Sequence, residues 1–212
     1  GSDRSPIIRV PLGWGKILFE RLFDWGYFTE EEAEFNDRKV ECARGKVLGG
    51  SSSINAMAYV RCHREDYDRW ARNGCAGWSY ADILPYFIKA EDWEKGDQPL
   101  RGTGGPLTVR SHGIRNALYD ALIESGRAAG FPVTEDFNEP EREGYGRYHF
   151  TIKDGKRWPT ARALLIPALS RPNLTLRTKC HTTRLRIENG RAIGLDYVEN
   201  GQVKTVRATR EI

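Results

Sequence analysis

The strongest constraint on the fold of this chain is a set of three segments near its C-terminus in which polar and apolar residues alternate. The segments are residues 184–188, 191–198 and 202–209, and the dipeptides Asn189-Gly190 and Asn200-Gly201 separate them. Asn-Gly is the dipeptide that best suits a two-residue hairpin turn, because both central positions require a positive φ. The pattern therefore predicts a three-stranded antiparallel meander. Residues 174–178 alternate in the same way.

Helical signals lie upstream of the meander. Ser79 and Asp82 have the spacing of a capping box, and apolar residues follow at helical intervals around Pro85, which should bend or restart that helix. Asn116 suits an N-cap and Gly130 suits a left-handed residue after a helix, so a second helix is expected between them. The residues that this helix would place along one face are Leu118, Ala121, Leu122, Ser125 and Ala129.

Two shorter helices and one irregular region complete the predicted elements. The helices are expected over residues 66–70 and 164–169. Residues 11–41 mix glycine, aromatic and acidic residues, which indicates a partly irregular segment that places aromatic side chains on a core. Those aromatic residues are Trp14, Phe19, Phe23, Trp25, Tyr27 and Phe28.

Composition excludes several classes of function. The 212 residues contain no apolar run of the length that spans a membrane. The net charge of +4 comes from 33 basic and 29 acidic residues that are interspersed, so no one-signed patch indicates nucleic-acid binding, although the mild excess suits an anionic cofactor. The N-terminal residues lack the apolar core of a secretion signal, so we expect a cytoplasmic protein, with peripheral membrane association still open.

The four cysteines give no sign of a metal site or a disulfide framework. They contain no C-x-x-C pair and no neighbouring histidine at metal-ligand spacing. We therefore expect reduced, buried thiols and no bound metal. The cysteines are Cys42, Cys62, Cys75 and Cys180.

The glycine-serine stretch over residues 44–55 is the motif that carries chemistry. Gly49 and Gly50 free the backbone to approach a ligand closely. The serines and Asn55 offer small hydrogen-bond donors, and a helix that begins at about Ser52 would add its N-terminal amides. Together these groups predict an anion site suited to a diphosphate.

Composition alone also allows a plainer interpretation of this stretch, because a Gly-Gly-Ser-Ser-Ser run is typical of a flexible loop. The motif is neither a P-loop nor the G-x-G-x-x-G of a dinucleotide fold. Arg44 and Lys46 would add positive charge if the loop binds an anion.

Residues 45–70 resemble the first signature of the glucose–methanol–choline (GMC) oxidoreductases, FAD enzymes that act mainly on alcohols. The matching residues are Gly45, Leu48, Gly49, Gly50, Ser51, Ser52, Asn55, Tyr59, Arg61, Asp66, Tyr67, Asp68 and Trp70. The resemblance continues in order along nearly the whole chain, and the bacterial choline-dehydrogenase-like branch is the most similar. The later matching segments are residues 77–80, 84–87, 102–107, 136–138, 143–146, 155–158, 171–174 and 194–197.

The resemblance implies a mixed α/β (α+β) fold, the middle part of a glutathione-reductase-like FAD-binding domain. It implies that residues 1–110 belong to this domain with the signature loop, that residues 111–160 form helices and loops bordering the substrate side, and that residues 161–212 hold the meander. The first βαβ unit of the family, with its dinucleotide motif, would precede Gly1, and the catalytic region would follow Ile212.

The resemblance also assigns the FAD-binding residues. Those of the signature loop are Val47, Gly49, Gly50, Ser51, Asn55, Ala56, Met57 and Ala58. Some members bind FAD covalently through a histidine at the position of Ile54, so the FAD is expected to be non-covalent here. Ala56 stands where some aryl-alcohol-oxidising members place an aromatic residue. Thr182 corresponds to a strand residue whose backbone meets the adenine.

The activity that the resemblance implies is oxidation of a primary alcohol by hydride transfer to flavin N5, with oxygen or a quinone as electron acceptor. No catalytic residue is expected within this chain, because His63, His112, His149 and His181 do not match the position of the catalytic histidine and are expected in structural or surface roles. Two alternatives stay open: a redox-silent member of the family, such as a lyase or photodecarboxylase, and a non-catalytic fragment or interaction module.

Overall fold

The computed structural model describes residues 1–96, 98–111, 113 and 116–212. The chain divides into two compact units, Ser2–Pro167 and Ala168–Ile212, and Gly1 groups with the second. Helices and strands occur together, and the second unit carries a three-stranded antiparallel sheet, which confirms the mixed α/β class. The assignment of residues 111–160 to the substrate side stays a prediction.

The helices are short, and most strands contain only two or three residues. The helices are α1 (Pro6–Arg9), α2 (Gly13–Phe19), α3 (Arg64–Arg72), α4 (Tyr80–Ala90), α5 (Ala117–Ala128) and α6 (Ile166–Ala168), with 3-10 turns at Ala33–Phe35 and Gly50–Ser53 and a π-helical turn at Ala161–Leu165. The strands are β1 (Tyr27–Phe28), β2 (Glu41–Cys42), β3 (Ala58–Tyr59), β4 (Glu91–Trp93), β5 (Leu107–Ser111), β6 (Val133–Thr134), β7 (Tyr145–Gly146), β8 (His149–Phe150), β9 (Ile152–Lys153), β10 (Lys156–Arg157), β11 (His181–Glu188), β12 (Arg191–Glu199) and β13 (Gln202–Arg207).

The second unit contains the predicted meander, in the order β11-β12-β13 with antiparallel pairing throughout. Both Asn-Gly turns have positive φ at both positions, 50° and 75° at Asn189 and Gly190 and 51° and 78° at Asn200 and Gly201, as the turn type requires. Residues 174–178 form no strand, so the alternation there did not indicate a further element.

The first unit is built around a four-stranded sheet in the order β3-β8-β5-β4. Strand β8 is antiparallel to both β3 and β5, and β5 is parallel to β4. Because β3 directly follows the glycine-serine stretch in the chain, the sheet fixes where that stretch ends. The part of the chain that the structure describes contains no helix of the length and hydropathy that a membrane crossing needs.

An apolar core of the first unit contains Ile8, Ile17 and Ile54, which are buried, and Phe23 packs against them. Most of the other aromatic residues that were expected to cover a core are exposed, and Phe19 has 92% of its surface accessible. The expectation was wrong because no other described part of the chain covers the aromatic side chains that α2 and β1 present outward. The other exposed residues among the six aromatic residues named in the prediction are Trp14, Tyr27 and Phe28.

The predicted helices form, with two differences: the helix expected over residues 164–169 is split between the π-helical turn and α6, and α4 differs at Pro85. Ser79 and Asp82 make the capping box that begins α4, and the helix continues through Pro85 to Ala90 without the restart that was one of the two effects predicted for this proline. Asn116 caps α5 by accepting a hydrogen bond from the amide of Leu118 at 2.9 Å.

The predicted apolar face of α5 is exposed, and the helix contacts its neighbour through Gly126 instead. A Cβ atom at Gly126 would lie 2.4 Å from the ring of Tyr145, so only glycine permits this approach. The expected burial of the cysteines was also wrong, because Cys62 and Cys75 are exposed and Cys42 and Cys180 are only half-buried.

A buried ionic network crosses the four-stranded sheet. Glu91 on β4 accepts hydrogen bonds from Arg61 at 2.9 Å and from two nitrogen atoms of Arg101 at 3.0 and 2.6 Å. Arg101 also bonds Asp136, whose Oδ1 accepts from the amide and the side chain of Asn138 at 2.8 and 3.0 Å. Two positive and two negative charges are therefore buried together, and each has several hydrogen-bond partners.

The pKa of Asp136 lies below its ordinary value. Burial on its own raises this pKa, but hydrogen bonds from His149 and Asn138 and the charge of Arg101 outweigh the effect of burial. The folded protein therefore favours the ionised carboxylate. This carboxylate stabilises the fold at every pH above the ordinary value.

We predict that Gly126→Ala destabilises the protein by about 1–3 kcal/mol, because the added methyl group overlaps the ring of Tyr145. Gly15→Ala is the matched control. Gly15 also lies inside a helix, nothing lies within 4 Å of the added Cβ, and alanine there should be neutral or stabilising by about 0.5–1 kcal/mol. Chemical denaturation of the three proteins measures both effects, and equal effects of the two substitutions would contradict the packing argument.

We predict that Asp136→Asn lowers the free energy of unfolding by about 3–5 kcal/mol at neutral pH, because Arg101 loses its second buried carboxylate. Since the native pKa of Asp136 is depressed, the stabilisation is present above the ordinary pKa of 3.8 and is lost as the pH falls below it. The difference between wild type and variant should be constant from neutral pH down to about 5 and should shrink below 3.8.

Asp120→Asn is the matched control for this measurement. Its ion pair with Arg147 involves an aspartate side chain that is 68% exposed, so its removal should cost less than about 1 kcal/mol. Denaturation midpoints across the pH series compare the two variants. A pH-independent gap between Asp136→Asn and wild type would show that the carboxylate charge is not what stabilises the fold.

Candidate cofactor-binding site

The glycine-serine stretch forms a tight loop that joins the apolar core to strand β3. Gly49 and Gly50 have φ values of 87° and 54°, and a single 3-10 turn follows over Gly50–Ser53. The α-helix expected from about Ser52 does not form, because the serine hydroxyls bond nearby carbonyl groups and compete with helical hydrogen bonding. The donors of this loop are therefore separate backbone amides and not the N-terminus of a helix.

Two of the serine side chains hold the loop together. The Ser52 hydroxyl donates to the carbonyl of Gly49 at 2.6 Å and accepts from the amide of Thr160 at 3.0 Å. The buried Ser53 hydroxyl donates to the carbonyl of Leu48 at 2.7 Å. These two hydroxyls stabilise the conformation of the loop, and they are not the ligand donors that the sequence suggested.

Backbone groups of the loop are available to a ligand. The amide N–H groups of Gly49, Ser51 and Ala56 donate to no other residue that the structure describes. A Cβ atom at Gly50 would have nothing within 4 Å, so the backbone there borders open space. Gly45 serves a different purpose, because its Cβ would lie 2.3 Å from the carbonyl oxygen of Gly50 and would force the loop apart.

The loop residues named from the sequence divide by the direction of their side chains. Ile54 and Met57 are buried, and Val47 packs against the apolar core, so only backbone atoms of these residues can reach a ligand. Asn55 and Ala58 are exposed, and Ala56 is half-buried. Thr182 lies in the second unit, on β11 opposite Tyr197, and is exposed.

Arg157 contacts the loop, and the sequence did not reveal this contact. Its side chain is buried and donates to the carbonyl of Ile8 at 2.9 Å, the carbonyl of Ser52 at 3.2 Å, and both oxygen atoms of Asn55 at 2.6 and 2.9 Å. Burial lowers its pKa to about 10, which still leaves it charged at neutral pH. The resemblance included Arg157 in a matching segment, but residue type alone does not tell a buried arginine from a surface one.

The charged residues next to the loop are exposed. Arg44 donates to the carbonyl of Ala43 at 2.6 Å, and the ammonium group of Lys46 lies 4.4 Å from the ring centre of Trp25. Both remain near enough in sequence to add positive potential around the loop.

The histidines lie in different settings. His63 caps helix α3 by accepting from the amide of Glu65 at 3.2 Å, and His181 begins strand β11. His149 is buried against Asp136 and the ring of Trp93. His112 lies outside the described residues.

This loop can bind a ligand rich in acceptor oxygen atoms. It offers unpaired amide donors beside a glycine that leaves space for close approach, and a buried guanidinium supports it from behind. A dinucleotide cofactor with a diphosphate and ring carbonyl groups has this chemistry, so the residues present fit such a group.

The sequence of this chain also matches a known protein family. Residues 19–212 match the family described as GMC oxidoreductase. An oxygen-dependent choline dehydrogenase from Sinorhizobium medicae (strain WSM419) is 46% identical over 212 residues, which is 100% of this chain and 38% of that relative.

Two solved structures are similar over nearly the whole chain. Pyridoxine 4-oxidase from Mesorbium loti superposes with a TM-score of 0.89 and 34% identity, over 98% of this chain and 41% of that structure. An FAD-dependent oxidoreductase from Chaetomium thermophilum superposes with a TM-score of 0.86 and 25% identity, over 97% of this chain and 38% of that structure. The chain thus spans less than half the length of each of these proteins.

Proposed function

The chain belongs to the GMC oxidoreductase family, and on that premise we propose that it forms part of an FAD-dependent enzyme that oxidises a primary alcohol. The observation that carries the proposal is the loop around Gly49 and Gly50, where the amides of Gly49, Ser51 and Ala56 bond no described residue and the backbone at Gly50 borders open space. Relatives named as a choline dehydrogenase and a pyridoxine oxidase support a small alcohol as substrate.

We propose that the loop holds FAD through its backbone and through Asn55. The contributing residues are Val47, Gly49, Gly50, Ser51, Asn55, Ala56, Met57 and Ala58, and the backbone of Thr182 meets the adenine. Ile54 is buried in the apolar core and carries no nucleophile, which supports non-covalent binding.

The domain that we propose is of the glutathione-reductase-like kind. Residues 1–110 and 161–212 contribute to FAD binding, and residues 111–160 border the substrate.

Bound FAD supplies the acceptor for the hydride of the alcohol at N5. The residues of this chain bind and orient the cofactor, and none of its histidines acts as the base. The electron acceptor is oxygen or a quinone, and the compartment is the cytoplasm.

The test of the proposed function is reduction of bound flavin. The full-length protein should purify with the visible absorbance of oxidised flavin, and that absorbance should bleach when choline or another small primary alcohol is added without oxygen. Denaturation should release the flavin, as expected for a non-covalent cofactor. Flavin that stays oxidised with every alcohol tried would favour a redox-silent family member, and a colourless protein would contradict FAD binding.

We predict that Gly50→Ala weakens FAD binding by about tenfold or more, because the methyl group enters the space that the cofactor needs. Gly155→Ala is the matched control, because Gly155 also has a positive φ, 68°, and nothing within 4 Å of an added Cβ. The backbone strain is thus similar in the two variants, and only the position differs. FAD titration of the apoprotein compares them, and equal losses of affinity would exclude a specific role for Gly50.

A further inference from the structure

Asn55 and Arg157 form a hydrogen-bonded pair on the inner side of the loop. The Nη1 atom of Arg157 lies 2.9 Å from Asn55 Oδ1 and 2.6 Å from the backbone carbonyl oxygen of Asn55. The same Oδ1 atom accepts a hydrogen bond from the amide of Met57 at 3.0 Å. This second bond closes the turn in which Met57 has a φ of 64°, a conformation that few non-glycine residues adopt.

These contacts fix the orientation of the Asn55 amide group. A guanidinium and a backbone N–H can only donate, so the oxygen of the side chain must face them and its NH2 group must face away. Asn55 is exposed, and its Nδ2 atom bonds no other residue that the structure describes. Two N–H donors are therefore held on the outer side of the loop, next to Ala56.

The charge of Arg157 strengthens these donors. Arg157 is only 2% exposed, and its Nη2 atom has no acceptor within the described part of the chain. Its partners are carbonyl and amide oxygens and no described carboxylate, so none of the described hydrogen bonds neutralises the guanidinium. A charge-assisted bond to Oδ1 draws electron density from the amide and makes the outward N–H groups better donors.

We propose that Arg157 is a positioning residue for FAD, which orients and polarises Asn55 so that its NH2 group binds an acceptor oxygen of the cofactor. The inference rests on the proposed function, because the acceptor belongs to FAD. The oxygen is either a carbonyl of the flavin ring or an oxygen of the diphosphate, and both present the same chemistry to Asn55. Arg157 itself acts through Asn55 and does not touch the cofactor.

Asn55→Asp in the full-length protein tests the orientation. One carboxylate oxygen keeps the bonds to Arg157 and Met57, now with a full negative charge, while the outward NH2 group becomes an acceptor. The thermal midpoint of the apoprotein should be equal to or above that of wild type, and the affinity for FAD should fall by at least about tenfold. Unchanged FAD affinity in this variant would overturn the proposal.

A double-variant cycle tests whether Arg157 acts through Asn55. Arg157→Gln should weaken FAD binding by about tenfold when Asn55 is present. In the Asn55→Ala background the same substitution should change the affinity by less than about twofold, because the group that Arg157 orients is gone. Equal fold-changes in both backgrounds would contradict the proposal. Arg162→Gln is the matched control, since Arg162 pairs with Asp3 at 2.7 Å and should leave FAD affinity unchanged.

The spectrum of bound flavin distinguishes the two acceptor oxygens. A shift of the flavin absorbance bands in saturated Asn55→Asp places the contact at the ring, and lower affinity with unchanged bands places it at the diphosphate. Titration of wild-type apoprotein with FAD separates this inference from the proposed function. Failure of wild type to bind FAD refutes the function, whereas normal wild-type binding with unaffected variants refutes only the role of Arg157.

Discussion

The fully buried ion pair of Arg101 and Glu91 connects several elements of the first unit through its hydrogen bonds. Glu91 begins strand β4 and also accepts from the amide of Gly102 at 3.0 Å. Arg101 extends the contact to Asp136, and Arg61 joins from the segment that follows strand β3. Short strands and short helices bury little apolar surface. An ionic network in which each charged group has hydrogen-bond partners therefore fixes the arrangement of these elements, which the small apolar core does not do alone.

The glycine loop depends on this network at one end and on Arg157 at the other. Asn138 accepts from the amide of Arg61 at 2.8 Å and donates to the carbonyl of Tyr59 at 3.2 Å, which fixes the chain just beyond the loop. Arg157 and Thr160 fix the loop from a segment about a hundred residues later. A loop held on both sides keeps its exposed amides in place before a ligand arrives, which lowers the conformational cost of binding.

The correct predictions from the sequence concern turns and helix caps, which residues close together in the chain determine. Asn200 and Gly201 specify a hairpin turn by their own backbone preferences, and Ser79 and Asp82 cap a helix within four residues. The glycine loop was located for the same reason. Its partners were not, because contacts such as Arg157 with Asn55 join residues far apart in the chain, and no local pattern encodes them. The predicted burial of the aromatic residues near the N-terminus was wrong for a similar reason, because burial depends on which other parts of the chain cover a side chain.

The three arginines that are buried within the described part of the chain show two different uses of a buried charge. Arg61 and Arg101 lie against carboxylates, and their charges are balanced inside the fold. Arg157 is equally buried, but its described partners are neutral oxygens and one of its nitrogens has none. A chain selected for stability alone would gain by placing a carboxylate or an apolar residue there. The charge of Arg157 instead has a role through Asn55, because it orients and polarises the amide group whose outward N–H groups we propose bind the cofactor.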